Sequence, residues 1–162
     1  MFLSSWRVKR KLSLRERALR CLARREHSRL ELQRKLAPHA DEPDDIQILL
    51  DDLETRGWLS EARLVEQTVH TRRGRYGVMR IVRELRGKGV SEEAISKVKP
   101  QIRESEQEAA RAVWGKKFGR LPRNASERGK QIRFMQGRGF DLDVILKLLR
   151  GAGKGELWES KV

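Results

Sequence analysis

The chain has 162 residues, of which 38% are hydrophobic and 37% are charged, and its formal net charge is +14. Such a composition disfavours one large hydrophobic core and favours small units that each bury a thin core and pack against neighbours. No apolar run approaches the ~18 residues of a membrane span. The positive charge predicts an acidic partner, most often nucleic acid.

A pattern of apolar residues recurs three times, at intervals of about fifty residues. The copies begin at Leu36, Leu85 and Met135, and each is followed by isoleucine at the same distance, at Ile46, Ile95 and Ile145. Further apolar residues follow at matching positions, namely Leu49, Leu53, Val98, Ile102, Leu148 and Ala152. A repeat of this length is typical of stacked helical units. We therefore predict three tandem copies of one helical unit.

Residues 1–12 are predicted to form a basic arm, and residues 13–58 the first three-helix unit. Ser13 to Glu16 and Ser28 to Glu31 both have the capping-box pattern, in which serine and glutamate satisfy the open N–H groups of a helix start. Pro43 is a favourable first residue for the third helix.

Residues 59–103 are predicted to form the second unit, residues 104–152 the third, and residues 153–162 a tail. Ser91 begins the last helix of the second unit, and Pro100 should kink that helix or end it early. The third unit has one helix through Trp114, a second through Met135 and a last helix capped by Asp141. No stretch has the alternation or β-branched content of a strand. The predicted fold is all-α, with nine helices in three helix-turn-helix-like units.

Patterns of catalytic or metal sites are lacking in the sequence. Cys21 is the one cysteine, so no internal disulfide can form, which fits a reducing compartment. The histidines are scattered, and neither HExxH, CxxC nor GxxxxGK[ST] occurs. The basic N-terminus lacks the hydrophobic stretch of a secretory signal. We predict a cytoplasmic protein without enzymatic activity, cofactor or metal.

Basic residues cluster in two stretches that we predict to contact the partner or nucleic acid. The first stretch, diluted by Glu84, comprises Arg72, Arg73, Arg75, Tyr76, Arg80, Arg83, Arg86 and Lys88. The second is looser, and its candidate residues are Lys116, Lys117, Arg128, Lys130 and Arg133. Guanidinium groups suit phosphate or carboxylate. The alternative for both stretches is a solvated helix face.

Charge is segregated along the chain, because residues 41–66 are acidic whereas the flanking regions are basic. This predicts one acidic face and at least one basic face. The acidic stretch from Asp41 to Glu54 is interpreted either as a seat for a basic partner or as the solvent face of a helix near basic neighbours.

Four segments carry a resemblance to a known family. They are HSRLELQRKL (27–36), LETRGWLSEARLVEQ (53–67), YGVMRIVRELRGKGV (76–90) and RGFDLDVILKLLR (138–150). In this order and spacing they resemble the RecX family, small bacterial regulators of the RecA recombinase. One departure is Ser60-Glu61, where family members often have Asp or Asn.

The resemblance implies three tandem three-helix units in an elongated curved body. It implies a protein that binds the RecA filament, reaching into its helical groove, and suppresses strand exchange, ATP hydrolysis and co-protease activity. Its setting would be recombination, DNA repair and the SOS response. We expect a monomer that contacts single- or double-stranded DNA weakly and without sequence preference, and no membrane.

The alternative is a helix-turn-helix-type transcriptional regulator that binds DNA directly. Three-helix units and a charge of +14 fit such a protein too. A transcription factor should prefer one duplex site, whereas a filament regulator should bind DNA without sequence preference and with a steep dependence on salt.

Overall fold

The computed structural model describes residues 11–151, and in this range all regular secondary structure is helical. The helices are α1 (Leu14–Leu22), α2 (Arg29–Leu36), a 3-10 turn (Ala37–His39), α3 (Pro43–Thr55), α4 (Glu61–Arg72), α5 (Val78–Gly87), α6 (Glu92–Lys117), α7 (Ala125–Gly137) and α8 (Leu142–Gly151). The all-α prediction is confirmed. No helix in the described range is both long and apolar enough to cross a membrane. The predicted tail and all but the last two residues of the predicted arm lie outside the described residues.

Four of the predicted helix starts are found in the structure. Ser13 and Ser28 each accept the N–H of a glutamate three residues on, and that glutamate accepts the serine N–H in return. Pro43 is the first residue of α3, and Ser91 caps α6 by accepting the Ala94 N–H. These contacts stay within one turn of helix, so the local sequence is sufficient to specify them.

One prediction was wrong: the last helix of the second unit and the first helix of the third are a single helix, α6, with Pro100 inside it. The structure therefore has eight α-helices in residues 11–151, not nine. A proline inside a helix costs about 3 kcal/mol. Here both flanks are anchored, since Ile95 and Ile102 are buried before and just after the proline and Trp114 is buried further on. Burial of each such side chain contributes about 1.5–3 kcal/mol, so the three together exceed that cost.

Three hydrophobic clusters correspond to the three copies of the repeat. The isoleucines Ile46, Ile95 and Ile145 are 4%, 2% and 0% exposed, each in a different cluster. The first cluster joins α1, α2 and α3, the second joins α4, α5 and the first part of α6, and the third joins the rest of α6 with α7 and α8. Equivalent burial of repeat positions supports three three-helix units.

The chain divides into two compact units between Ser60 and Glu61. The first contains α1 to α3, and the second contains α4 to α8. The second unit holds two of the three clusters because α6 contributes buried side chains to both. The predicted unit boundary at residues 103 and 104 falls inside this helix. The boundaries of the three units and the elongated, curved body stay predictions.

Candidate interaction surface

The N-terminus of α5 docks on the turn between α7 and α8. The Gly77 N–H donates to the Arg138 carbonyl at 3.0 Å, and the Met79 N–H donates to the Gly139 carbonyl at 3.1 Å. These bonds satisfy N–H groups that a helix start otherwise leaves open. They bring residues 74–83 of the first basic stretch against the turn that follows α7.

Glycine is required on both sides of this contact. A Cβ on Gly77 would overlap the Gly139 backbone, and a Cβ on Gly139 would overlap the backbone of Arg80. Gly139 also has a φ of +86°, a conformation that favours glycine. A glycine with positive φ just after a helix is a common helix stop, which accounts for Gly139. The close approach at Gly77 has no signal in the local sequence.

Glu106 of α6 supports the same contact through a hydrogen bond to the start of α5. Its side chain is 4% exposed and accepts the Val78 N–H at 3.0 Å. Burial raises the pKa of the Glu106 carboxyl, while the Val78 hydrogen bond opposes the rise. Sequence reasoning missed this residue, although its position four residues after buried Ile102 places it on the inward face of α6.

Tyr76 lies among three guanidinium groups. The centre of its ring is 4.4 Å from the Arg80 guanidinium carbon, 5.4 Å from that of Arg138 and 6.0 Å from that of Arg72. Arg80 also donates to the Gly137 carbonyl at 3.2 Å. Cation–π contacts orient a guanidinium group without cancelling its charge. Tyr76 was a predicted contact residue, whereas Arg138 was not.

A first groove, which we call the basic groove, joins both predicted stretches. It has a volume of about 520 Å³. Its lining is formed by Gly74, Arg75, Ala112, Val113, Lys116, Lys117, Phe134 and Arg138. Four of these side chains are cationic and none is acidic. The docking of α5 on the α7–α8 turn therefore brings Arg75 of the first stretch together with Lys116 and Lys117 of the second.

A second groove, which we call the arginine groove, adjoins the same docking contact. It has a volume of about 440 Å³, and its lining is formed by Met79, Arg80, Arg83, Glu84, Gln136, Gly137 and Gly139. Arg80 and Arg83 are exposed, and Met79 is 53% exposed. The groove thus combines an apolar side chain with two guanidinium groups.

Other members of the first stretch are paired with carboxylates. Arg72 Nε lies 3.0 Å from Glu84, Lys88 Nζ lies 3.9 Å from the same side chain, and Arg86 Nε lies 2.6 Å from Glu92. The hydrogen bonds to these carboxylates raise the pKa of Arg72 and of Arg86. These three cations are less available to a partner than Arg80 and Arg83.

The remaining predicted residues are dispersed. Lys130 lies with Lys117 in the lining of a third, smaller groove. Arg73, Arg128 and Arg133 are exposed and lie outside the lining of both named grooves. The contact role of every predicted site residue stays a prediction.

The acidic stretch of the first unit is partly neutralised within that unit. Arg29 Nη1 lies 2.7 Å from Asp51 and 2.8 Å from Glu54, and Arg15 pairs with Asp52 at 2.9 Å. This arrangement favours a helix face near basic neighbours over a seat for a basic partner. Within residues 11–151 no group of His, Cys, Asp or Glu has the arrangement of a metal site.

Comparison with known proteins gives a consistent result. Residues 60–98 match the model of the second three-helix domain of RecX, and residues 104–149 match that of the third. The regulatory protein RecX of Ralstonia nicotianae is 49% identical over 87% of this chain and 89% of that protein. The regulatory protein RecX of Neisseria gonorrhoeae is 38% identical over 94% of this chain and 99% of that protein.

The fold is likewise shared with a solved structure. The crystal structure of RecX from Lactobacillus salivarius superimposes with a TM-score of 0.74, covering 87% of this chain and 95% of that one at 16% identity. Because relatives with 38% to 49% identity cover most of both chains, this chain belongs to the RecX family of regulatory proteins.

Proposed function

We propose that this chain regulates the RecA recombinase by binding the RecA–DNA filament, and that it suppresses strand exchange, ATP hydrolysis and co-protease activity. It has no catalytic activity of its own. It acts as a cytoplasmic monomer. The observation that carries the proposal is the arginine groove, in which two exposed guanidinium groups line the same groove as the exposed Met79, on a helix whose start is held in place.

The chemistry of the arginine groove suits an acidic protein surface. Guanidinium groups bind carboxylates with two parallel hydrogen bonds. The exposed Met79 in the same groove offers an adaptable apolar contact. Because the backbone bonds of Gly77 and Met79 hold α5 in place, little conformational entropy is lost when a partner binds. Binding at this groove is proposed to occupy surface that neighbouring RecA subunits need.

The test measures ATP hydrolysis by RecA on single-stranded DNA with added protein. The site variant carries Arg80→Glu and Arg83→Glu. The control variant carries Arg34→Glu and Lys35→Glu, which makes the same change in charge at two exposed positions of α2. We expect the unmodified protein and the control to inhibit and the site variant to lose inhibition, with all three equally helical by circular dichroism.

Two results would count against the proposal. Undiminished ATP hydrolysis and strand exchange with the unmodified protein would refute the function. Retained inhibition by the site variant would move the contact away from the arginine groove. Because Arg80 also contacts Tyr76, the single substitution Arg83→Glu provides a second variant in which that contact is kept.

The alternative of a transcriptional regulator is disfavoured by the charge at helix starts. In a helix-turn-helix protein, the N-terminal residues of the recognition helix contact base edges. Here the third helices of the three copies start with acidic residues: Asp44 and Asp45 in α3, Glu92 and Glu93 in α6, and Asp143 in α8. These carboxylates repel phosphates. A mobility-shift series that found one strongly preferred duplex site would restore the alternative.

A further inference from the structure

We propose that the basic groove binds the backbone of single-stranded DNA, at a site separate from the arginine groove. The inference deepens the proposed function and rests on it, since the strand in question would be the one held in the filament. The two grooves adjoin the same docking contact but have different linings, so substitutions can separate them.

The charge of the basic groove is unopposed. Its lining holds Arg75, Lys116, Lys117 and Arg138 and no acidic residue. None of these four side chains is ion-paired with a carboxylate of residues 11–151, in contrast to Arg72 and Arg86. Their positive charge is therefore available to phosphate groups.

Aromatic rings orient two of the four cations. The Arg138 guanidinium carbon lies 5.4 Å from the ring centres of Tyr76 and Phe134, and Lys117 Nζ lies 5.5 Å from that of Phe134. Phe134 is itself packed edge-on against Phe118. The rings position the cations without neutralising them, so a phosphate meets charges that are already in place.

Side chains, not backbone N–H groups, must bind the anion. Helix starts often bind phosphate through free N–H groups. At α5 those groups are already used, because Gly77, Val78 and Met79 donate to Arg138, Glu106 and Gly139. Binding through lysine and arginine side chains depends on counterion release and hence strongly on salt.

The apolar part of the lining favours a single strand over a duplex. Ala112, Val113 and Phe134 contribute apolar side chains to the lining of the groove. A duplex keeps its base faces stacked in its interior, where the apolar side chains of the groove cannot reach them. A single strand exposes sugar and base faces that gain from contact with apolar and aromatic side chains.

The test uses the full chain without RecA. A fluorescently labelled oligothymidine is titrated by anisotropy over a series of salt concentrations. The site variant carries Arg75→Gln and Lys116→Gln, which leave the ring contacts of Lys117 and Arg138 in place. The control carries Arg34→Gln and Lys35→Gln, which remove the same charge from α2.

We expect the site variant to bind on the order of tenfold more weakly at low salt. The plot of log K against log salt should become shallower by about 1.4, that is, about 0.7 for each lost phosphate contact to a single strand. The control should keep the affinity and slope of the unmodified protein. A duplex of the same length should bind more weakly than the single strand.

Each contrary result overturns a defined part of the inference. If the unmodified protein does not bind oligothymidine, or if both variants bind it equally more weakly, the basic groove is not the binding site. Equal affinity for duplex would remove the preference for a single strand. Displacement by polyaspartate at the same charge concentration as unlabelled oligothymidine would assign the groove to an acidic protein.

The two proposals fail in different assays. Loss of oligothymidine binding with Arg75→Gln and Lys116→Gln requires no RecA. Loss of RecA inhibition with Arg83→Glu does not depend on oligothymidine binding.

Discussion

The docking of α5 can be tested by replacing Gly77 with alanine. The added Cβ would lie against the Gly139 backbone, so the two segments must separate. Separation removes the hydrogen bonds from Gly77 to Arg138 and from Met79 to Gly139, each worth about 1 kcal/mol. Overpacking adds about 1–3 kcal/mol. We expect Gly77→Ala to lower the free energy of unfolding by about 3–5 kcal/mol.

A matched control lies at the other end of the same helix. Gly87 ends α5, and a Cβ there would meet nothing within 4 Å. Gly87→Ala should therefore be neutral or stabilise the protein by up to about 1 kcal/mol, because alanine has the higher helix propensity. The same substitution is thus expected to have opposite signs at the two ends of α5.

The assay is urea unfolding of the full chain, followed by circular dichroism. The chain has two compact units, so the curves should be fitted for two transitions, and the change should fall in the one that contains α4 to α8. Surface substitutions ordinarily change the free energy of unfolding by no more than about 0.5 kcal/mol. If Gly77→Ala changes it by no more than that, the close approach of Gly77 to Gly139 does not exist in solution. Without that close approach, the inference that both grooves are rigid would also be wrong.

Two further predictions concern α6. Burial raises the pKa of Glu106, so ionisation of this carboxyl opposes folding. The stability of the unmodified protein relative to Glu106→Gln should therefore fall as the pH rises from the ordinary carboxyl pKa of 4.5 to the raised pKa of Glu106. Above the raised pKa the difference should stay constant. Urea unfolding at several pH values measures this, and a stability of the unmodified protein that rises with pH relative to Glu106→Gln would contradict it. Pro100→Ala should raise the unfolding free energy by about 2 kcal/mol by restoring a helix hydrogen bond; lower thermal stability would show that the proline is needed.

Features that depend on neighbouring residues were predictable from the sequence. The capping boxes at Ser13 and Ser28 involve residues three apart. The apolar stripes that contain Ile46, Ile95 and Ile145 follow from helical periodicity, and all three are buried as predicted. The two basic stretches were also visible, because charge is a property of composition.

Which cations share a groove was not predictable. Arg75, Lys116 and Arg138 come from three separate segments. Arg72 and Arg86 looked equivalent to Arg80 in the sequence, but the structure pairs them with Glu84 and Glu92. A charge run does not show which of its members meet a carboxylate once the helices have packed.

Helical secondary structure, burial periodicity and positive charge were thus properties of the sequence, because each arises from residues within a few turns of one another. The continuity of α6 through Pro100, the role of Glu106 and the meeting of Gly77 with Gly139 arose from packing. These contacts join residues far apart in the chain, and their free energy depends on the complete arrangement of α4 to α8. No local pattern encodes that arrangement of helices, and the arrangement forms both grooves.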